Sequence, residues 1–206
     1  MKRNLFAVTL MMALLLGMTA CSKEEAPLAH DPEIGARLSG QWQESFTFDT
    51  EISTDGDNPQ LVTGTVTSRA VSLMTLNADQ TFSIESRQEV VDYNPVPGTR
   101  ALSQQELDLH FSQTVTVTGT FVASDKFIEF YREEISVNGS APVAFESYKE
   151  AASLSGEDMQ RALWDLADNQ LTILTAEGVG TKETVYTRIK QDTVVENLWI
   201  NYREGE

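Results

Sequence analysis

The stretch Thr114-Val115-Thr116-Val117-Thr118-Gly119-Thr120-Phe121 decides the fold class. Its apolar residues Val115, Val117 and Phe121 are separated by polar threonines, so the pattern repeats every two residues. Side chains of a β-strand point alternately to opposite faces of the sheet. The stretch therefore predicts a strand with one dry face and one wet face.

The same alternation recurs along most of the chain. We predict eight strands, near residues 41–52, 61–76, 80–91, 113–123, 126–138, 143–149, 170–176 and 182–190. Two of them contain similar segments, 62–66 and 117–121, in which we expect a glycine bulge or bend. About eight antiparallel strands in one domain must cover their edges, and closure into a barrel does so most completely. The predicted fold is therefore all-β, an antiparallel up-and-down barrel, with a β-sandwich as the alternative.

Three segments depart from this pattern. Asp31 and Pro32 predict a short helical turn, with Asp31 as the cap and Pro32 at the first helical position. Residues 155–165 predict a short helix, because Ser155 can cap it and Met159, Leu163 and Leu166 follow at helical spacing. The polar connection 92–113 is long, and its segment 102–109 fits a short helix or a strand equally well.

The N-terminus has the pattern of a targeting segment. Basic Lys2 and Arg3 precede an apolar run from Leu5 to Thr19, which is too short for a stable membrane span and ends in small residues. We therefore predict a signal peptide over residues 1–20. The single cysteine, Cys21, follows directly.

Met18-Thr19-Ala20-Cys21 resembles the bacterial lipobox. The resemblance implies that Cys21 is lipidated, with acyl chains such as palmitate attaching the protein to a membrane. Ser22 resembles an outer-membrane sorting signal, and Lys23-Glu24-Glu25 resembles a surface-export signal or begins a solvated linker. The expected location is thus the cell envelope, anchored to the outer membrane on its periplasmic face or at the cell surface. The alternative is an ordinary secretory signal beside an incidental cysteine.

The predicted organisation is a signal peptide at 1–20, a lipidated N-terminus and tether at 21–37, and a barrel domain at 38–206. Gly40-Gln41-Trp42 is similar to the Gly-x-Trp motif that opens the first strand of lipocalins, and Tyr186-Thr187-Arg188 is similar to their last-strand arginine. The resemblance implies a lipocalin-like barrel closed by a Trp42–Arg188 stack.

The charge balance excludes nucleic acid as an expected partner. The 206-residue chain has 15 Lys+Arg and 31 Asp+Glu, for a net charge of −16, and so has no basic stripe to neutralise phosphates. Cleavage before Cys21 removes Lys2 and Arg3 and no acid, which takes the charge to −18. The acyl chains, not the acidic domain, would then hold the protein at an anionic membrane.

No residue set in the sequence indicates catalysis or a cofactor. A serine nucleophile elbow is missing, and a catalytic triad is a poor fit to two histidines, of which His30 is expected to be solvated and His110 to lie at a strand edge. One cysteine cannot form an internal disulfide or a four-cysteine zinc site. Residues 49–58 are acidic but do not follow the EF-hand order, so a solvated loop is favoured over a calcium site. We expect a non-enzymatic protein without metal or cofactor.

Two functions remain open for a protein that we expect to be a monomer. In the first, the barrel binds a small apolar or amphipathic ligand, with candidate lining residues Phe46, Phe82, Phe121 and Tyr131. In the second, the interior is filled and the protein presents a strand face or segment 92–113 to an envelope protein. A cavity of about 300 Å³ or more would favour the first function.

One question of orientation bears on this choice. Strict alternation places Glu129 and Glu133 on one face with Tyr131 and Ile135. An inward-facing Glu129 or Glu133 would be available to a ligand amine, or to Arg132 if a bulge intervened.

Overall fold

The computed structural model describes residues 28–53, 62–152, 159–177 and 180–189. Within these ranges the strands are β1 (Gly40–Ser53), β2 (Val62–Leu76), β3 (Thr81–Pro95), β4 (Gln113–Ala123), β5 (Phe127–Val137), β6 (Val143–Ala144), β7 (Met159–Ala167), β8 (Gln170–Glu177) and β9 (Gly180–Ile189). The helices are α1 (Pro32–Leu38), α2 (Gln104–Phe111) and α3 (Phe145–Ala151).

Eight of these strands form a closed antiparallel barrel. The strand order is β4-β3-β2-β1-β9-β8-β7-β5, and β4 also pairs with β5, which completes the ring. The two-residue strand β6 pairs with β5 outside the ring. Apart from the excursion through β6 and α3, each strand lies beside the next one along the chain. The up-and-down barrel is thus confirmed, and the β-sandwich alternative is excluded.

Strand β4 shows why the alternating pattern produces this fold. From Gln113 to Ala123 every second residue is buried and every intervening residue is half-buried. The buried side chains of Val115, Val117 and Phe121 are at most 2% exposed and belong to the single core cluster inside the barrel. The threonines between them face outward, as the sequence predicts.

Glycine permits a bulge at two places in the wall. The β4–β5 register shifts between Thr118 and Gly119, and a Cβ on Gly119 would overlap the carbonyl oxygen of Tyr131. The β1–β2 register shifts opposite Gly64, where a Cβ would lie 2.5 Å from the Asn94 carbonyl oxygen. A register shift therefore lies beside each glycine, as predicted, and each glycine lets a neighbouring backbone approach closely: β5 at Gly119 and β3 at Gly64.

Helix α1 covers one end of the barrel. The Asp31 carboxylate caps it by accepting from the backbone N–H of Glu33 at 2.9 Å and of Ile34 at 3.4 Å. The predicted cap and the Pro32 start are confirmed. Ile34 and Leu38 are buried and join the core cluster, so α1 seals this end of the barrel with apolar side chains.

The helix predicted at 155–165 is wrong over the residues that the structure describes, because residues 159–165 lie in strand β7. The apolar residues in this segment fit the spacing of a helix and also the alternation of a strand. Ala162, Trp164 and Leu166 alternate toward the core, whereas Leu163, which the helical pattern would bury, is 45% exposed. Hydrogen-bonded ladders with β5 on one side and β8 on the other select the strand.

The strand predicted at 143–149 is also wrong beyond Ala144, because α3 occupies residues 145–151. Phe145 and Tyr148 are one helical turn apart and both contact the core, which a strand could not achieve for residues of opposite parity. Lys149 pairs with Glu146 at 2.8 Å within the same helix.

Segment 102–109 is helical, since α2 spans residues 104–111. Ser103 and Glu106 form a capping box at its start. Of the two alternatives left open by the sequence, the helix is correct, and β3 extends to Pro95 before it.

Several predictions fall outside the described residues: the signal peptide at 1–20, the Cys21 lipidation site, the tether as far as residue 27, and the start of the 155–165 helix. Within the described ranges, none of the helices has the length and apolar character needed to cross a membrane.

Candidate functional site

The barrel closes beside α1 through Trp42 and Arg188. These residues face each other in the β1–β9 ladder, and the Arg188 guanidinium carbon lies 4.3 Å from the centroid of the Trp42 ring. The Trp42 side-chain N–H donates to the Leu38 carbonyl at 2.8 Å, and an Arg188 N–H donates to the Arg37 carbonyl at 2.6 Å. The predicted stacking contact is therefore present and also holds the C-terminal end of α1.

Two cavities lie deeper in the barrel and share the side chains of Ile84, Phe130 and Gln160. Their volumes are about 20 and 60 Å³, which is room for roughly one and four water molecules. Small-molecule sites usually have volumes of about 300–1,000 Å³. The interior around these residues is thus occupied mainly by side chains.

Helix α3 contributes one side chain to the wall of the smaller cavity. Phe145, at the start of this helix, is 2% exposed and lines the cavity together with Arg132 of β5. The Arg132 guanidinium carbon lies 5.0 Å from the centroid of the Phe145 ring, a distance at which a cation is attracted to an aromatic face. Tyr148 of the same helix also packs against the core cluster. The segment between β5 and β7, which contains β6 and α3, therefore inserts side chains into the barrel at the end opposite α1.

The larger cavity has a polar wall on β8 and β9, formed by Thr175, Lys182, Thr184 and Tyr186. Burial raises the pKa of the Tyr186 hydroxyl, with a further contribution from Glu44. Burial also raises the pKa of the Glu44 carboxyl, and the positive charge of Lys182 partly opposes this shift. Glu44 and Lys182 are therefore electrostatically coupled at the same side of the interior.

A second polar group lies on β2, β3 and β4. Its members are buried or half-buried hydroxyl and amide side chains: Ser68, Ser72, Ser86, Gln88 and Gln113. Ser72 and Ser86 share a hydrogen bond at 2.8 Å, and the Gln88 amide nitrogen donates to Ser68 at 3.4 Å. Gln88 Oε1 is buried and has no hydrogen-bond partner among the described residues, so one acceptor here remains to be satisfied.

The four candidate ligand-lining residues do not converge. Phe82 lines the smaller cavity, and its ring contacts that of Phe130 edge to face at 5.1 Å. Phe121 is buried at the α1 end, and Phe46 is half-buried with its ring 5.8 Å from that of Phe48. Tyr131 lies on the opposite face of β5 from Phe130 and donates to Glu129 at 2.6 Å. Their role in binding a ligand stays a prediction.

Glu129 does not point into the cavities. It is 1% exposed and lies opposite Arg161 in the β5–β7 ladder, whereas the neighbouring pair, Phe130 and Gln160, lines both cavities. Arg161 Nε donates to the Glu129 carboxylate at 2.7 Å. Glu133 is exposed and accepts from the Thr120 hydroxyl at 3.2 Å. The structure therefore provides no inward carboxylate on β5 for a ligand amine.

Both histidines occupy other environments than those predicted. His30 is half-buried, with its ring 6.2 Å from Phe121 and its Nδ1 accepting from the Ala123 N–H at 3.3 Å. The solvated interpretation of His30 is thus wrong, because the chain before α1 packs onto the barrel. His110 lies in the last turn of α2, not at a strand edge.

Sequence reasoning missed Phe130, Gln160, Lys182 and the cluster around Glu129. Lys182, Thr184 and Tyr186 are two residues apart, so alternation places all three on one face of the strand. This pattern could have identified the polar wall of the larger cavity. The positions of Phe130 and Gln160 depend on the β5–β7 pairing, for which no local signal exists.

Among the described residues, no group of three or more His, Cys, Asp and Glu side chains could hold a metal ion. A comparison with protein-family models finds none that matches the chain. A search of curated proteins likewise finds no significant match.

Proposed function

We propose that this protein is a lipid-anchored lipoprotein of the cell envelope that acts without catalysis, as an interaction module built on a filled barrel. The observation that carries the proposal is the small volume of the two cavities lined by the described residues, about 20 and 60 Å³. A carrier of apolar molecules would need several times that volume.

The location is inferred from the N-terminal sequence. A basic start, a short apolar run and the Met18-Thr19-Ala20-Cys21 motif support export and lipidation. Several acyl chains on Cys21 would anchor the protein firmly, because each buried methylene contributes about 0.8 kcal/mol. The chain between Cys21 and α1 would hold the acidic barrel away from the lipid surface.

The anchor is tested with a clickable palmitate analogue fed to the host cells. We expect the wild-type protein to incorporate the label and to sediment with the membranes, whereas the Cys21→Ser variant does neither. A Ser22→Ala variant serves as the matched control and should keep both properties. Incorporation of label into Cys21→Ser would contradict the assignment of the anchor.

The module role requires surfaces that are open to a partner. The connection from β3 to β4 carries exposed apolar side chains, including Val96 (39% exposed) and Leu109 of α2 (72% exposed). Exposed apolar side chains such as these are available for contact with a partner protein. Together with the packed interior, these side chains favour contact with a protein over storage of a ligand.

Photo-crosslinking in the host envelope tests this role. A photoreactive residue at position 109 or at Thr47, which is exposed on β1, should give one discrete adduct with a partner protein. The same residue at Leu163, which is 45% exposed on β7, provides the control and should give none. If neither test position yields an adduct, the module role is wrong.

A small amphipathic ligand is the second candidate, and the wall of the larger cavity favours it. Lys182, Thr184 and Tyr186 are polar, while Met74 and Ile173 on the same cavity are apolar. A ligand with a few non-hydrogen atoms would fit a cavity of about 60 Å³. The barrel would need to expand for anything larger.

A further inference from the structure

The ladder between β1 and β9 ends while both strands continue. Strand β1 pairs with β2 from Gly40 to Ser53, but with β9 only at Gln41–Gln43. Strand β9 in turn pairs with β8 from Gly180 to Thr187. Among the described residues, no ladder joins Glu44–Glu51 to β9. We call this segment the β1 edge.

Backbone groups along a strand edge that lacks a neighbour can pair with an added strand. Several protein domains bind extended peptides in this way, with main-chain hydrogen bonds providing affinity and alternate side chains providing specificity. The β1 edge is long enough for this, because strands usually span about 3–10 residues.

The side chains of the β1 edge define what such a strand should contain. On the outer face, Ser45, Thr47, Asp49 and Glu51 are exposed. Across the gap, Glu183 of β9 is also exposed. A strand added here would therefore have three carboxylates beside its outward side chains, which favours Lys or Arg at those positions.

The inner face of the same edge carries two aromatic side chains after Glu44. Phe46 and Phe48 are half-buried and their rings lie 5.8 Å apart. Side chains of an added strand that point inward would contact these rings. The complementary segment thus alternates between basic and apolar residues.

We infer that the β1 edge binds an extended segment of a partner protein in which basic and apolar residues alternate, and that this segment adds a strand to the barrel wall between β1 and β9. The inference rests on the proposed role as an interaction module, since it names that module's surface and the chemistry of its partner. The net charge of −16 steers a basic segment toward the protein. A second copy of this chain fits less well, because its edge would bring Asp49 and Glu51 near like charges.

The test uses a labelled peptide of about ten residues that alternates lysine and valine, with blocked termini. A control peptide keeps every lysine but replaces alternate valines with proline, which cannot form a regular strand. Fluorescence anisotropy at physiological salt measures both affinities. We expect the alternating peptide to bind at least about tenfold more tightly than the proline peptide.

Matched variants separate the edge from general charge attraction. Asp49→Lys/Glu51→Lys should weaken binding of the alternating peptide by about tenfold or more. Glu134→Lys/Asp165→Lys makes the same charge change at exposed residues of β5 and β7 and should change the affinity less than about twofold. Circular dichroism confirms that each variant is folded.

Amide hydrogen exchange of the wild-type protein gives a measurement that needs no variant. With the alternating peptide bound, the amides within Ser45–Glu51 that do not already donate to β2 should exchange more slowly, and those of β7 should not change. The inference is overturned if the two peptides bind equally or if the two double variants weaken binding equally. It is also overturned if protection from exchange is confined to another segment. Self-association of the protein through β1 without peptide would also overturn it.

The outcome is separable from that of the proposed function. If an envelope partner crosslinks in cells and Asp49→Lys/Glu51→Lys retains it, the β1 edge is not the binding surface and the module role stands. If the peptide binds at the edge but no partner crosslinks in cells, the module role fails while the edge remains able to bind a strand.

Discussion

The guanidinium of Arg188 lies over the ring of Trp42 where the barrel closes, with its carbon 4.3 Å from the ring centroid. Through the bonds from Trp42 to Leu38 and from Arg188 to Arg37, this pair joins the first strand, the last strand and α1. Trp42 is fully buried. The pair therefore links the barrel wall directly to its helical cover.

Replacing Arg188 with alanine should lower the free energy of unfolding by about 1–3 kcal/mol. The cation–π contact contributes roughly 0.5–2 kcal/mol, and the bond to the Arg37 carbonyl contributes about 1 kcal/mol. Urea denaturation monitored by tryptophan fluorescence measures the change. Arg100→Ala is the control, because its pair with Glu106 lies at the protein surface and should contribute little to stability. Equal effects of the two substitutions would contradict the proposed role of Arg188.

Replacing Gly119 with alanine should destabilise the barrel by about 1–3 kcal/mol or more. The new Cβ would overlap the Tyr131 carbonyl oxygen, so two paired backbones would have to separate. Gly139→Ala provides a comparison, because nothing lies within 4 Å of a Cβ there; its cost, which comes from a φ of 72°, should be about 1 kcal/mol. A Gly119→Ala protein as stable as Gly139→Ala would show that the bulge is not tightly packed.

The stability contributed by Glu106 should disappear in acid. The Ser103 backbone N–H, the Arg100 guanidinium and the Ser103 hydroxyl all donate to its carboxylate and lower its pKa from 4.5 to about 2. Because the folded pKa lies below the unfolded value, this contribution is present above about pH 4.5 and is lost as the pH falls toward 2. The stability difference between the wild type and Glu106→Gln should therefore shrink across that interval.

An NMR titration of the Glu106 carboxyl carbon measures the same shift directly. We expect a midpoint near 2, rising in Ser103→Ala because one donor is lost. A midpoint near 4.5 in the wild type would show that the capping box does not hold the carboxylate in solution.

Removing the buried carboxylate of Glu129 should be costly. Its carboxylate is 1% exposed, and Arg161 is 17% exposed, so Glu129→Leu removes the carboxylate that faces a mostly buried cation. Breaking a buried pair costs about 3–5 kcal/mol, whereas replacing both partners with apolar residues is often nearly neutral. Glu129→Leu/Arg161→Leu should therefore be more stable than Glu129→Leu in urea denaturation. The reverse order would show that the ion pair itself is not what stabilises this face.

The same carboxylate raises the pKa of Tyr131 to about 12, chiefly through the hydrogen bond from the tyrosine hydroxyl. The folded pKa lies above the ordinary value of 10, so the contribution of this bond is complete below pH 10 and is lost between 10 and 12. Ultraviolet titration of the tyrosinates, with Tyr131→Phe for assignment, should show the pKa fall toward 10 in Glu129→Gln. No change in that variant would contradict the bond.

The sequence predicted the barrel because most strands show one clear period. The prediction was wrong at β7 and α3, where the apolar residues fit both the helical and the strand period. The choice between helix and strand there depends on contacts with residues distant in sequence. For example, Leu163 satisfies the helical pattern but is exposed in the strand, since the ladders to β5 and β8 decide which face is buried.

The interior was harder to predict because one bulge changes which residues point inward. Strict alternation places Ile135 on the face of Glu129 and Phe130 on the other face. In the structure, Ile135 (1% exposed) and Phe130 (5% exposed) both lie in the core. The register shift opposite Gly119 accounts for this, since a slip of one residue exchanges the two faces of a strand. The Trp42–Arg188 contact, by contrast, follows from two short motifs on strands that close the ring.

Native mass spectrometry of the delipidated protein, purified from its own host, tests the central proposal most directly. A filled barrel predicts the mass of the polypeptide alone, with no small molecule retained under gentle desolvation. A stoichiometric adduct with the mass of an apolar or amphipathic compound would contradict it, and would instead make this protein a carrier.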